Sequence, residues 1–185
     1  MSASHYDYSF AEYLTVERDS EIKHEFDAGD ILAICGGTAR HSALAVNVGV
    51  AVSSTRPASC IAFQSDLRVR VVSTGRAMYP DVSMVCGAIE YDPEDARRTT
   101  ITNPVLLVEV LSVTTEKGDR GNKWMHYQRI PSLREYVLVS QEPQIEIFRR
   151  TPTGTWEYII VHEGSVTLAT GPPLDLPTLY AELPV

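Results

Sequence analysis

Apolar positions along this chain fall mostly into short runs and alternations of strand length, with helical stripes between them. Phe10, Tyr13 and Leu14 share one helical face, which predicts a short helix over Ser9 to Arg18 with Ser9 as its N-cap. Glu25 to Ile34 reads as a hairpin turning at Ala28-Gly29 or Gly29-Asp30. Gly36-Gly37-Thr38 leads into a helix from about Ala39 to Ser53, striped by Leu44, Val48, Ala51 and Val52. Strands follow at Cys60 to Phe63, at Leu67 to Val72, and at Met78 to Cys86, the last interrupted only by Pro80-Asp81. Asp92 to Thr100 reads as a charged surface loop, and Val105 to Leu111 as a buried strand. A helix opens at Thr114 to Gly118 and ends before Pro131. Glu135 to Ser140 pairs with Ile145 to Arg150, and Trp156 to His162 with Ser165 to Ala169 through a turn at Glu163-Gly164. The Pro-rich tail, 170–185, reads as mostly irregular. No repeat or linker divides the chain, so a single domain over 1–185 is expected. The fold class is α+β: a mixed sheet carrying helices, with a core of order αβββαβ and added hairpins at both ends.

One position breaks the pattern. In Val105-Leu106-Leu107-Val108-Glu109-Val110-Leu111 a carboxylate stands where an aliphatic residue belongs. A buried charge must be paired, protonated or bound to a metal. Asp81 begins the neighbouring strand, and strands lie about 4.8 Å apart, so the two acids can converge. Converging carboxylates repel unless a cation lies between them, and an oxygen-rich site with few ligands suits Mg²⁺ or Mn²⁺. The plainer readings are a turn or cap role for Asp81 and a buried ion pair of Glu109 with Arg68, Arg70 or Lys123.

On the helix that follows, Asp119, Lys123 and Tyr127 are spaced i, i+4, i+8 and share a face. Its first turns can bend back over the end of the Glu109 strand and bring the lysine to the two acids. The plainer reading is a surface Asp-Lys pair. Lysine is scarce, with thirteen Arg but only Lys23, Lys117 and Lys123, so few residues can supply an ammonium. Glu25 and His41 are weaker candidates; the stripe beside His41 turns its ring toward the core, where a satisfied core histidine is the ordinary outcome. The other histidines (His5, His24, His126, His162) have no zinc spacing, and Gly36-Gly37-Thr38 is no phosphate loop. No GxSxG motif or Ser/Cys-His pairing suggests a nucleophilic hydrolase.

Composition narrows the classes. The 185 residues are 44% hydrophobic and 22% charged, with net charge -8, which argues against a protein that coats nucleic acid nonspecifically. Cys35, Cys60 and Cys86 form no CxxC pair, so no zinc knuckle or disulfide framework is expected, and a reducing cytoplasm is the simple setting. Met1 to Asp7 does not read as a signal peptide, and no apolar stretch is long enough to span a membrane.

Tyr79-Pro80-Asp81-Val82, Val108-Glu109-Val110-Leu111-Ser112, and Asp119 with Lys123 and Tyr127 together resemble the Uma2 family (DUF820) of the PD-(D/E)xK nuclease superfamily. Glu25 with Gly29, His41, and Ile130 to Tyr136 add to the resemblance, which runs from about Phe10 to Ile160. It implies a restriction-endonuclease-like fold and a Mg²⁺-dependent (or Mn²⁺-dependent) endonuclease acting on DNA. Asp81 and Glu109 would be the metal ligands, joined by the Val110 backbone carbonyl. Lys123 would be the catalytic lysine, with Glu25, His41 and Asp119 as further site residues. One departure stands out: the superfamily's lysine two residues after the acid is here Leu111. An acidic chain would meet nucleic acid through a local face, expected at Arg68, Arg70, Arg76, Arg97, Arg98 and Arg120. Cutting both strands suggests a homodimer. The alternative is a nuclease-like fold without catalysis, serving as a nucleic-acid-binding or regulatory module.

Overall fold

Proline lacks the N–H that a sheet interior requires, and at Pro80 the apolar run from Met78 to Cys86 passes from one sheet to another. In the computed structural model, which describes residues 7–34, 36–113 and 115–184, β5 (Arg76–Met78) precedes the break and β6 (Val82–Cys86) follows it. Readings that fall on Met1 to Tyr6 (including His5), Cys35, Thr114 and Val185 lie outside the described residues.

The first sheet contains β1 (His24–Asp27), β2 (Asp30–Ala33), β4 (Arg68–Val71), β5 and β7 (Thr100–Ile101), in the order β2-β1-β5-β4-β7. Its β1–β2 hairpin turns at Ala28 (φ 49°) and Gly29 (φ 97°). Both residues of this two-residue loop have positive φ, as the twist of a tight hairpin demands. The second sheet is larger. It contains β3 (Cys60–Gln64), β6, β8 (Leu106–Val110), β9 (Glu135–Val139), β10 (Ile145–Arg150) and β11 (Trp156–Val161), in the order β11-β10-β9-β8-β6-β3. Its neighbouring strands are antiparallel except β8 and β9, which run parallel with Glu109 opposite Leu138.

The larger sheet is covered on both faces, which is why β8 reads as a continuous apolar run. On one face Leu106, Val108 and Val110 pack with Leu44, Val48 and Val52 of α2 (Ala39–Thr55). On the other, Leu107 and Leu111 pack with Tyr127, Ile130 and Tyr136, and with Val69, Val71 and Met78 of the smaller sheet. Alternation along β8 turns Glu109 toward this second face. The segment that covers it is a π-helical turn, Gly118–Lys123, followed by α3 (Trp124–Tyr127). Helix α1 (Phe10–Asp19) begins with a capping box between Ser9 and Glu12, and Phe10 and Tyr13 pack on Phe26 and Ala77 of the smaller sheet.

Several elements differ from the sequence pattern. The single strand expected over Met78 to Cys86 is two strands in two sheets. The Asp92 to Thr100 loop is anchored: Asp92 and Asp95 are buried, pairing with Arg70 and Arg68. The hairpin expected between Trp156 to His162 and Ser165 to Ala169 does not form. β11 pairs with β10, while β12 (Ser165–Thr167) pairs with β13 (Pro173–Asp175). The tail is less irregular than its prolines suggest, since α4 (Leu176–Leu179) follows β13 and buries Leu176 and Leu179. Cys60 and Cys86, opposite each other in the β3–β6 register, form a disulfide. This corrects the expectation that the cysteines make none. No helix of the described residues is long and apolar enough to cross a membrane.

Candidate active site

The site lies where the chain leaves the smaller sheet and enters the larger one. Asp81 sits in that crossing, at the start of β6, and Oδ2 accepts a 2.7 Å hydrogen bond from the Val110 amide at the end of β8. The two acid-bearing strands are therefore tied together by an acid itself. From the opposite side of the sheet, the first turn of α2 brings His41 Nε2 to 3.5 Å from Asp81 Oδ2. Hydrogen bonding to Asp81, reinforced by the Val110 backbone, raises the His41 pKa above its ordinary value against the cost of burial. His41 thus faces Asp81 and is not simply a core histidine.

Glu109 is 4% exposed. Its Oε1 accepts hydrogen bonds from Lys123 Nζ at 3.0 Å and from the Tyr127 hydroxyl at 3.2 Å. Lys123 Nζ also lies 3.1 Å from Asp119 Oδ1 and 3.4 Å from Glu25 Oε1. Glu25 Oε2 is 3.6 Å from Arg76, which is buried and also holds Asp27. Five of the residues expected from sequence, Glu25, Asp81, Glu109, Asp119 and Lys123, thus share one cluster, with His41 at its edge. Arg76 was not foreseen as part of it; a buried arginine at the head of a three-residue strand carries no local sequence signal. The ion pairs considered for Glu109 with Arg68 and Arg70 do not form, because both arginines are held by the Asp92 to Thr100 loop.

The charges do not balance. Glu25, Asp81, Glu109 and Asp119 supply four carboxylates, and Lys123 and Arg76 two permanent cations. Burial first, then the like charges of Asp119 and Asp81, push the Glu109 pKa well up despite Lys123. Burial also opposes the Lys123 charge, but Glu109, Glu25 and Asp119 outweigh it and hold the ammonium firmly protonated. Asp119 is 2% exposed, and its Oδ1 faces the Lys123 ammonium at 3.1 Å. Four acids gathered around two permanent cations are a feature that a further cation relieves.

Among the described residues no three His, Cys, Asp or Glu side chains form a ready-made metal cage. The donors that the resemblance implies, the Asp81 and Glu109 carboxylates and the Val110 carbonyl, are all oxygen. That set suits Mg²⁺, which keeps several waters and takes one or two carboxylates, and does not suit zinc. The residues therefore fit the metal that the resemblance implies.

The expected arginine face does not exist as a surface. Arg68 and Arg76 are buried, Arg70 pairs with Asp92 and Glu94, and Arg120 pairs with Glu116 and Glu146. Of the six, only Arg97 and Arg98 make no close ion pair among the described residues, although the Arg97 charge acts on Asp19.

The chain is similar to known proteins in both sequence and fold. The chain is 37% identical over 148 residues to the uncharacterized protein slr1290 of Synechocystis, covering 78% of this chain and 75% of the relative. It is 33% identical over 132 residues to the uncharacterized protein sll1609 of the same organism, covering 71% and 73%. Its fold matches the crystal structure of a putative nuclease belonging to DUF820 from Anabaena variabilis, with a TM-score of 0.73 at 16% identity, over 94% of this chain and 98% of that one. The Uma2 family model, described as "Putative restriction endonuclease", matches residues 10–180, twenty residues beyond the span of the sequence resemblance, and the chain belongs to that family.

Proposed function

We propose that this chain is a Mg²⁺-dependent endonuclease that hydrolyses phosphodiester bonds in DNA. The observation that carries the reading is the buried excess of carboxylates around Glu109, joined to Asp81 through the Val110 amide. Asp81, Glu109 and the Val110 carbonyl would hold the ion. A divalent ion in such a site supplies a more acidic water and neutralises charge on the phosphate.

The chain's own residues do the rest. Lys123, held charged by three carboxylates, presents an ammonium at the reacting phosphate and steadies the charge that builds there. Asp119 and Glu25 fix the Lys123 side chain, and Tyr127, kept neutral by burial, orients Glu109 by donating to it. His41, whose charged form Asp81 favours, is placed to give a proton to the departing oxygen. Cutting both strands of a duplex requires two such sites, hence two copies of the chain.

The test is cleavage of supercoiled plasmid with Mg²⁺ or Mn²⁺ by the wild type and by Glu109→Gln. Nicking or linearisation is expected from the wild type, with a loss of at least about a hundredfold in the variant, the scale expected when one preorganised electrostatic group is removed. Equal activity in the two proteins would overturn the assignment.

A second reading has its own support. Glu109 is already satisfied by Lys123 and Tyr127, and position 111, the usual place of the lysine, is a buried leucine. A binding module without catalysis on this fold predicts no heat of Mg²⁺ or Mn²⁺ binding by calorimetry and tolerance of Asp81→Asn.

A further inference from the structure

Two of the stretches of this chain that carry no acidic residue come together in the fold. Residues 120–134, Arg120 to Arg134, contain no Asp or Glu, and neither do residues 147–156, Ile147 to Trp156. The fold lays these stretches side by side. Trp124 stacks on Phe148 at 4.1 Å between ring centroids and meets Trp156 edge-on at 4.8 Å. The Arg150 amide donates to the Arg134 carbonyl at 2.8 Å. The Arg150 guanidinium donates to the carbonyls of Gln128, Ile130 and Pro131 at 2.8–3.0 Å and lies 4.6 Å from the Trp156 ring centroid.

This surface carries Arg129, Arg134 and Arg150, and none of the three has a carboxylate partner among the described residues. Seven of the thirteen arginines do: Arg18, Arg40, Arg68, Arg70, Arg76, Arg120 and Arg149. Arg129 and Arg134 are exposed. Burial and the adjacent charge of Arg134 both work against the Arg150 charge, a repulsion that an anion between them would relieve. Uncompensated arginines beside an aromatic ring form the pattern of a nucleic-acid backbone contact. Arg97 and Arg98 differ, since their loop also carries Asp92, Glu94 and Asp95.

We infer that Arg129, Arg134 and Arg150, with Trp156, form the surface that holds the nucleic-acid backbone on one side of the cut. This rests on the nuclease reading and adds to it the strand's path. From Lys123 through α3 and the turn that ends it at Arg129, the helical rise gives about 9 Å. At about 3.4 Å per nucleotide along one strand, the patch meets phosphates roughly three nucleotides from the reacting one. It also explains how a chain of net charge -8 engages a polyanion: the contact is local and made by arginines without carboxylate partners.

The test is equilibrium binding of fluorescein-labelled single- and double-stranded oligonucleotides in EDTA, at several salt concentrations. The wild type is compared with Arg129→Gln/Arg134→Gln and with Arg97→Gln. Each lost phosphate contact lowers the slope of log K against log salt by about 0.9 on duplex and 0.7 on single strands. The double variant is therefore expected to bind at least tenfold more weakly, with a slope shallower by nearly two on duplex. Unchanged affinity and slope in the double variant, or a loss in Arg97→Gln that equals or exceeds it, overturns this inference while leaving the nuclease reading standing. A wild type that binds neither oligonucleotide overturns both. The exposure of Arg129 and Arg134 lets them be replaced without disturbing the core.

Discussion

Glu109 and Lys123 depend on each other. A lysine two positions after the acid would have lain on the same face of the strand end, but Leu111 fills that place and packs with Tyr127 and Leu107. The ammonium comes from the following helical segment instead and settles among Glu25, Glu109 and Asp119. Removing it leaves three carboxylates facing one another in a buried space. Lys123→Met is therefore expected to lose cleavage and to lose stability by about 3–5 kcal/mol, the usual result of breaking a buried ion pair from one side. Adding Glu109→Gln removes one of the stranded charges. The double variant should recover part of that loss, with a coupling of about 0.5–3 kcal/mol in a double-mutant cycle of urea unfolding. Strict additivity would mean that the two groups do not interact. That Glu109 needed a partner was legible from its apolar surroundings. Which partner it has was not, because Arg68, Arg70 and Lys123 are equally able by type, and only the loop that claims both arginines decides between them.

Elements were legible where local pattern and tertiary packing agree. The Ser9 cap, the Ala28-Gly29 turn and the α2 stripe each follow from a few adjacent residues. Where pairing depends on distant chain, the pattern misled: β11 joins β10, not β12. The π-helical turn at Gly118–Lys123 lies outside a reading based on 3.6 residues per turn; such turns recur at functional sites, and this one delivers both Asp119 and Lys123 to Glu109. The Asp92 to Thr100 loop is a further case, since its charge reads as solvent exposure. Asp95 instead is buried and accepts from the Arg97 and Thr99 amides and from the Thr99 and Thr100 hydroxyls, with Arg68 at 3.4 Å. Burial raises the Asp95 pKa, but the Thr100, Thr99 and Arg97 hydrogen bonds and Arg68 outweigh it, so the folded value lies below the ordinary 3.8. The unfolded chain then takes up the proton more readily than the folded one. The stabilisation is complete above 3.8 and is lost as pH falls through the folded value. In denaturant titrations from pH 7 downward, Asp95→Asn should be less stable than the wild type at neutral pH. The gap should narrow in the acid limb, and a constant gap at every pH would show that ionisation of Asp95 contributes nothing.

At the scale of the whole molecule the chain passes repeatedly between its two larger sheets, and the crossing at Pro80-Asp81 is the one that carries an acid of the site. Strand β3 is an edge strand of the larger sheet, and its pairing with β6 sets the far boundary of the strand that Asp81 precedes. A one-residue slip in such a pair exchanges the two faces of a strand. The Cys60–Cys86 bridge fixes this register by joining residues 26 apart in sequence. No spacing rule exposes such a pair, because it is the register and not the sequence distance that makes the two cysteines neighbours. Closing a loop of this length removes unfolded-state entropy worth about 3.5 kcal/mol. The bridge lies at the end of β6 away from Asp81, about 16 Å along five residues of strand, so its loss should touch stability and not the site. Dithiothreitol is expected to lower the urea midpoint of the wild type, while Cys60→Ser/Cys86→Ser shows the lowered midpoint with or without reductant. Plasmid cleavage at 25 °C in the absence of denaturant should be the same for reduced, oxidised and double-variant protein. A wild-type midpoint indifferent to reductant would remove the bridge from the account of stability. Cleavage that falls with reduction while the fold persists would show that the register of β3 and β6 reaches Asp81, making the crossing a mechanical link between the two sheets as well as the place where the acids meet.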